Sequence, residues 1–163
     1  MAHRQLVKTL AQLALDKQIR IATAESCTGG WVAQEMTALA GSSDWFECGF
    51  VTYSNEAKTH MLGVPEALFI SDGAVSEAVV KAMAKGAVDN SRATLSVSIS
   101  GVAGPGGGTP QKPVGMVWMA WYLEGSEVQS RCFQLSGDRH AVRRSAVKEA
   151  LKGLIKQLAK NTV

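Results

Sequence analysis

The sequence predicts an α/β protein, a three-layer α/β/α sandwich with a mixed sheet. Three observations lead there. Helical patterns with one apolar face flank the strand candidates at both ends of the chain. A turn centred on Gly125 joins the last two strand candidates into a hairpin, which makes the sheet mixed. The 163 residues hold no repeat, low-complexity tract or linker, so residues 1–163 read as a single domain.

The elements follow in order. Leu6, Leu10 and Leu13 recur at helical spacing among Arg4, Lys8 and Asp16, an amphipathic opening helix. Arg20 to Thr23 is a short apolar strand. After Gly29-Gly30 a helix runs from about Trp31 to Leu39 and stops at Ala40-Gly41-Ser42-Ser43. Trp45 to Tyr53 is aromatic and β-branched, hence a strand. Asn55 is positioned to cap a helix to Leu62, ended by Gly63. Pro65 opens a further short turn of helix. Ser76-Glu77-Ala78-Val79 resembles a capping box, opening a helix to about Asp89. Three strands are expected at 94–100, 114–123 and 128–135. Ser136 or Asp138 then caps a long helix whose apolar stripe is Val142, Ala146, Ala150, Leu151, Leu154, Ile155 and Leu158.

Composition narrows the function classes. A hydrophobic content of 46% with 19% charged residues excludes a disordered chain. No apolar run approaches the roughly 18–20 residues of a membrane helix. Three cysteines, Cys27, Cys48 and Cys132, form neither a disulfide framework nor a CxxC pair. His3, His60 and His140 share no metal-like spacing, so no metal is expected. The first residues lack a continuous apolar signal segment, and a reducing cytoplasm is the expected compartment. Charge is uneven. Residues 131–163 carry eight Lys/Arg against two Asp/Glu, and residues 1–130 carry nine against twelve.

Four segments could carry chemistry. Glu25-Ser26-Cys27-Thr28-Gly29-Gly30 sets two hydroxyls and a thiol where a strand meets a helix, and its glycines allow close approach. It is neither a Walker loop nor a G-x-S-x-G elbow, and Ser26 or Thr28 serving only as a helix cap is an equal reading. Cys27 competes with Ser26 as nucleophile, since a thiolate beside a helix start is activated. Next, Tyr53-Ser54-Asn55 precedes Lys58, which lies among Ala57, Met61 and Leu62. A lysine in such surroundings loses basicity and can take the proton from a serine, although most lone lysines are solvated charges. Third, five glycines crowd positions 101–108 after Ser100, a loop suited to binding anions and oxygens or merely to crossing over. Last, Arg139 and Arg143 stand four apart on the final helix, where they can reach a phosphate. Behind them Arg144, Lys148, Lys152, Lys156 and Lys160 form a basic stripe, read as a solvated face rather than a nucleic-acid footprint.

Taken together, Thr23 through Gly30, Tyr53 through Lys58, Gly73-Ala74-Val75-Ser76-Glu77, Ser100 through Pro105, Lys112-Pro113-Val114-Gly115 and Gly137-Asp138-Arg139 form a specific set. It resembles the CinA C-terminal domain family, and within it the stand-alone amidohydrolases, over essentially the whole chain. Met116 stands where a threonine is expected. The resemblance implies hydrolysis of the carboxamide of nicotinamide mononucleotide to nicotinic acid mononucleotide and ammonia, in pyridine nucleotide salvage, by a homo-oligomer without cofactor. In that reading Ser26 attacks, Lys58 is its base, and Tyr53 positions or relays the proton. Amides near Thr28, Gly29 and Gly30 hold the oxyanion. Asn55, Ser100, Gly101, Ala103, Gly104, Arg139 and Arg143 contact the nucleotide. Two other readings stay open: an inactive nucleotide-binding paralogue, and an accessory protein of competence or DNA damage.

Overall fold

The structure, a computed structural model, describes residues 2–160. Met1 and residues 161–163 of the expected domain lie outside the described residues. In chain order the elements are α1 (His3–Asp16), β1 (Ile21–Glu25), α2 (Trp31–Thr37), a 3₁₀ turn (Ser42–Asp44), β2 (Phe46–Val51), α3 (Asn55–Leu62), α4 (Glu66–Ser71), α5 (Glu77–Asp89), β3 (Leu95–Gly101), β4 (Met116–Leu123), β5 (Gln129–Gln134) and α6 (Arg139–Lys160).

The sheet order is β2-β1-β3-β4-β5. β1 runs parallel to both β2 and β3, with Thr23 between Gly49 and Val97. β3 with β4, and β4 with β5, are antiparallel. The expected mixed sheet and hairpin are therefore present. Strand alternation sorts residues to two faces. Ile21, Val97, Ile99, Met119 and Trp121 share one core with α1, α2 and α6 through Leu10, Met36, Leu151 and Leu154. Ala22, Ala24 and Ala120 face the other core, with Val80, Met83 and Ala84 of α5 and Leu62 of α3. The expected three layers follow. Among the described residues no helix is long and apolar enough to cross a membrane.

Small residues set how closely α5 approaches. On its side of β3 lie Ser96, Ser98 and Ser100, which donate to Ala84 O at 2.6 Å, Val80 O at 2.6 Å and Ala74 O at 2.8 Å. A hydroxyl buried without a partner would cost about 1–3 kcal/mol, and these three all have one. On the opposite face Gly153 of α6 leaves room for Trp121, whose indole N–H donates to Ala150 O at 3.1 Å. A methyl at 153 would fall 2.0 Å from the indole ring. Gly153→Ala should therefore cost about 1–3 kcal/mol, as overpacking does, and lower the melting temperature in calorimetry by several degrees.

Some element ends differ from expectation. Ser54, not Asn55, caps α3: its Oγ accepts the Ala57 N–H at 3.0 Å, and Asn55 is the first helical residue. Ser76 does cap α5 through Val79 N–H, but Val79 holds the position where a capping box needs a glutamate. Glu77 instead pairs with Lys81 at 2.8 Å and accepts from Ser130. Asp138 caps α6, accepting the Ala141 N–H at 2.9 Å. β2 ends at Val51, two residues early, which frees the carbonyls that follow it for other work.

Candidate active site

The site forms where β1 ends between its parallel neighbours, the end of such sheets that usually binds ligands. Ser26 N–H donates to Ile99 O at 3.0 Å, and Thr52 N–H donates to Glu25 O at 2.9 Å. The sheet thus holds the backbone on both sides of Ser26. α3 folds back from residues 52–54 and delivers Lys58, which is 1% exposed. Its Nζ lies 3.0 Å from Ser26 Oγ, 3.0 Å from Thr52 O and 3.0 Å from Tyr53 O. Burial lowers the pKa of Lys58 below the usual 10.5.

This arrangement has a direct chemical reading. A neutral amine has two N–H bonds and one lone pair. If the Thr52 and Tyr53 carbonyls take the two N–H bonds, the lone pair is left for the Ser26 hydroxyl. Once protonated, the same nitrogen can donate to all three oxygens. Ser26 Oγ also sits 3.4 Å from Tyr53 O, an acceptor for its proton while the lysine is charged.

Glu25 organises the loop that follows. It is fully buried, accepting Thr28 Oγ1–H at 2.7 Å, Val32 N–H at 2.8 Å and Ala33 N–H at 3.1 Å. It satisfies the first turn of α2, so neither Ser26 nor Thr28 acts as that helix's cap. Gly30 holds the cap position at φ 96°, following Gly29 at φ 61°. These are left-handed values at which a side chain is strained. Gly29 N–H donates to Ser26 O. With Val32 and Ala33 engaged by Glu25, and Ser26 and Gly29 engaged by backbone, the Cys27, Thr28 and Gly30 amides are what the loop has left to offer a ligand. Cys27 is buried, and burial pushes its thiol up to about 11, which argues against the competing thiolate.

The remaining expected residues divide. Arg139 reaches over the site, donating to Gly104 O at 2.8 Å and to the Tyr53 hydroxyl at 3.3 Å. It borders a hollow of about 560 Å³ lined also by Ala103, Pro105, Val114, Gly137, Asp138 and His140. The Tyr53 phenol is exposed beside Arg139, and what faces the Ser–Lys pair is the Tyr53 carbonyl. The expected proton relay through the phenol is therefore not the contact this side chain makes. Ser100 is buried and donates to Ala74 O. A methyl on Gly101 would press Val117 at 2.6 Å. Both serve internal packing. Asn55 is exposed on the first turn of α3. Arg143 turns inward, to Cys27 O and Thr28 O. Sequence reasoning missed the Glu25 contacts and the Thr52 carbonyl. A lone carboxylate ending an apolar strand was the available signal for the first; a carbonyl leaves no trace in sequence. Among the described residues no group of three or more His, Cys, Asp or Glu could hold a metal.

The structure is thus an α/β protein of three layers in which a buried lysine meets a serine hydroxyl at the ends of parallel strands. The chain belongs to the CinA C-terminal domain family, whose pattern matches residues 3–158. It is 57% identical over 136 residues to the nicotinamide-nucleotide amidohydrolase PncC of Pseudomonas putida, covering 83% of this chain and 84% of that protein. It is 52% identical over 158 residues to the protein of the same name from Escherichia coli K12, covering 97% and 96%. The crystal structure of competence damage-inducible protein A from Klebsiella pneumoniae matches at a TM-score of 0.95 and 34% identity, covering 99% of this chain and 100% of that one.

Proposed function

We propose that this chain is a nicotinamide mononucleotide amidohydrolase working through Ser26 and Lys58, on one domain. The observation that carries the mechanism is the 3.0 Å approach of buried Lys58 Nζ to Ser26 Oγ, flanked by two carbonyls. The substrate comes from the amidohydrolase relatives.

Ser26 Oγ attacks the carboxamide carbon as its proton passes to Lys58. The carbonyl oxygen becomes an oxyanion, held by the Thr28 and Gly30 amides. The Lys58 ammonium then protonates the departing nitrogen, and the C–N bond breaks. Ammonia leaves, and the nicotinoyl group remains as an ester on Ser26. Water, losing a proton to Lys58, attacks that ester; the C–Oγ bond breaks, the Lys58 proton returns to Ser26 Oγ, and nicotinic acid mononucleotide leaves. Arg139 holds the 5′-phosphate at the rim of the 560 Å³ hollow, with Ala103 and Gly104 beside it. The free thiols of Cys27, Cys48 and Cys132 suit a reducing cytosol; the homo-oligomer rests on the family resemblance alone. The lysine stripe stays a solvated face, with Lys152 paired to Glu149 at 3.0 Å.

The test is ammonia release from nicotinamide mononucleotide, compared with nicotinamide riboside and other amides. The mononucleotide is expected to be hydrolysed and favoured. Arg139→Ala should lose about 10–100-fold in kcat/KM on the mononucleotide, the scale of one charge-assisted contact of about 1.5–3 kcal/mol. Its activity on the riboside should barely move. A wild-type protein that releases no ammonia would overturn the enzyme reading, and an equal Arg139→Ala loss on both substrates would remove the phosphate role.

A further inference from the structure

Building on the amidohydrolase reading, we infer that Arg143 is a positioning residue for the oxyanion-binding amide of Thr28, not a second ligand of the substrate phosphate. Arg143 Nε donates to Cys27 O at 3.0 Å, and Nη2 donates to Thr28 O at 3.1 Å. One guanidinium edge therefore holds two successive peptide units of the nucleophile loop. In a trans peptide the C=O and the next N–H point in opposite directions. Holding Cys27 O turns Thr28 N–H away from Arg143. Holding Thr28 O does the same to Gly29 N–H, which is found donating to Ser26 O at 3.0 Å. Thr28 N–H is thereby left on the side away from Arg143, one of the loop amides able to face a ligand, while the Thr28 hydroxyl is tied to Glu25.

The loop needs such a clamp. The nucleophile's own amide is spent on Ile99 O and cannot serve the oxyanion. Gly29 would let the Thr28–Gly29 peptide turn over at little steric cost, taking Thr28 O from Arg143 and leaving Cys27 O alone to hold the Thr28 amide. Arg143 is itself backed. Its guanidinium lies over the Trp31 ring, 5.5 Å from the centroid. The Trp31 indole N–H donates to Glu35 Oε1 at 2.9 Å, and His3 Nδ1 lies 3.1 Å from the same oxygen. A lysine at 143 would keep the charge but not the planar fork that spans two carbonyls. Arg139 differs: it crosses the open site to Tyr53 and Gly104 instead.

The experiment uses the full chain with Arg143→Lys and Arg143→Ala. Arg143→Lys should lower kcat for nicotinamide mononucleotide about 10–1000-fold, up to the loss of one oxyanion donor. KM should stay within about threefold, and the ratio of mononucleotide to riboside activity should hold, because the phosphate contact is untouched. Added ethylguanidinium should restore part of kcat to Arg143→Ala, where ethylammonium does not. The Thr28 amide resonance in a ¹⁵N–¹H spectrum should be single in the wild type and broadened or split in Arg143→Lys, whether or not the substrate assignment is right. A rise in KM confined to the mononucleotide, or an unchanged kcat with an unchanged Thr28 resonance, would overturn the proposal. If the wild type releases no ammonia, the amidohydrolase reading fails, and the Thr28 resonance still decides the role of Arg143.

Discussion

Lys58→Met is expected to leave a folded protein that releases ammonia from nicotinamide mononucleotide about 10²–10⁴-fold more slowly, the usual worth of a general base. Methionine fills nearly the same buried volume but offers no lone pair to Ser26. Two opposing stability effects follow. The Thr52 and Tyr53 carbonyls lose a donor, at about 1–3 kcal/mol per unsatisfied group. Removing a buried cation relieves a desolvation cost of several kcal/mol. The melting temperature should therefore move by only a few degrees. The pH dependence has a definite sign. In the proposed mechanism the neutral amine is the working form, and burial lowers its pKa below 10.5. Wild-type kcat/KM should rise with pH through that lowered pKa and level off above it, and Lys58→Met should lack this rise. Stability should carry the same mark. Between the folded and unfolded pKa values the unfolded chain holds the extra proton, so wild-type stability rises with pH there and that part of the slope vanishes in the variant. A variant with near-wild-type turnover would end the dyad mechanism.

Ser26→Ala should lose more, about 10⁴-fold or beyond in kcat, because no covalent intermediate can form. The double variant with Lys58→Met should be scarcely slower than Ser26→Ala alone, since the two residues act as one unit. Independent multiplication of the two losses would show that they act separately. Cys27→Ala is the control for the neighbouring thiol. With its pKa near 11, roughly one thiol in ten thousand is ionised at pH 7. Turnover within a few-fold of wild type is expected. A loss matching that of Ser26→Ala, without loss of fold, would transfer the nucleophile to Cys27.

The sequence made the layers readable because helical and strand periodicities are direct products of which face is buried. β3, the β4–β5 hairpin and α6 all fall within a few residues of their expected places. Ser26 and Lys58 were readable as residue types in suggestive settings, but their pairing came from the family resemblance and not from spacing, since they are 32 positions apart. Arg143 shows the limit more sharply. Its spacing from Arg139 suggested a shared phosphate, yet the helix turns it toward the carbonyls of Cys27 and Thr28, which are chemically silent in sequence. Tyr53 shows the same limit: the side chain drew attention, and it is the backbone oxygen that meets Lys58 while the phenol meets Arg139. The Asn55 cap slipped by one residue because Ser54 offers an equally good oxygen one position earlier.

The three serines of β3 lead to one further consequence. Ser96, Ser98 and Ser100 advance along the strand, while their acceptors Ala84, Val80 and Ala74 step back along the chain. Strand and helix thus mesh like a rack and its pawl. Grease-like contacts between alanines would permit α5 to slide by one turn with little loss. Ser96 and Ser98 alone would permit it too, because Val80 and Ala84 stand one turn apart and a slide of one turn brings up another carbonyl; the Ser100 bond to Ala74, on the segment ahead of α5, has no such substitute and forbids it. The fold thereby acquires a fixed index mark beside Ser26, supplied by residues outside the proposed chemistry.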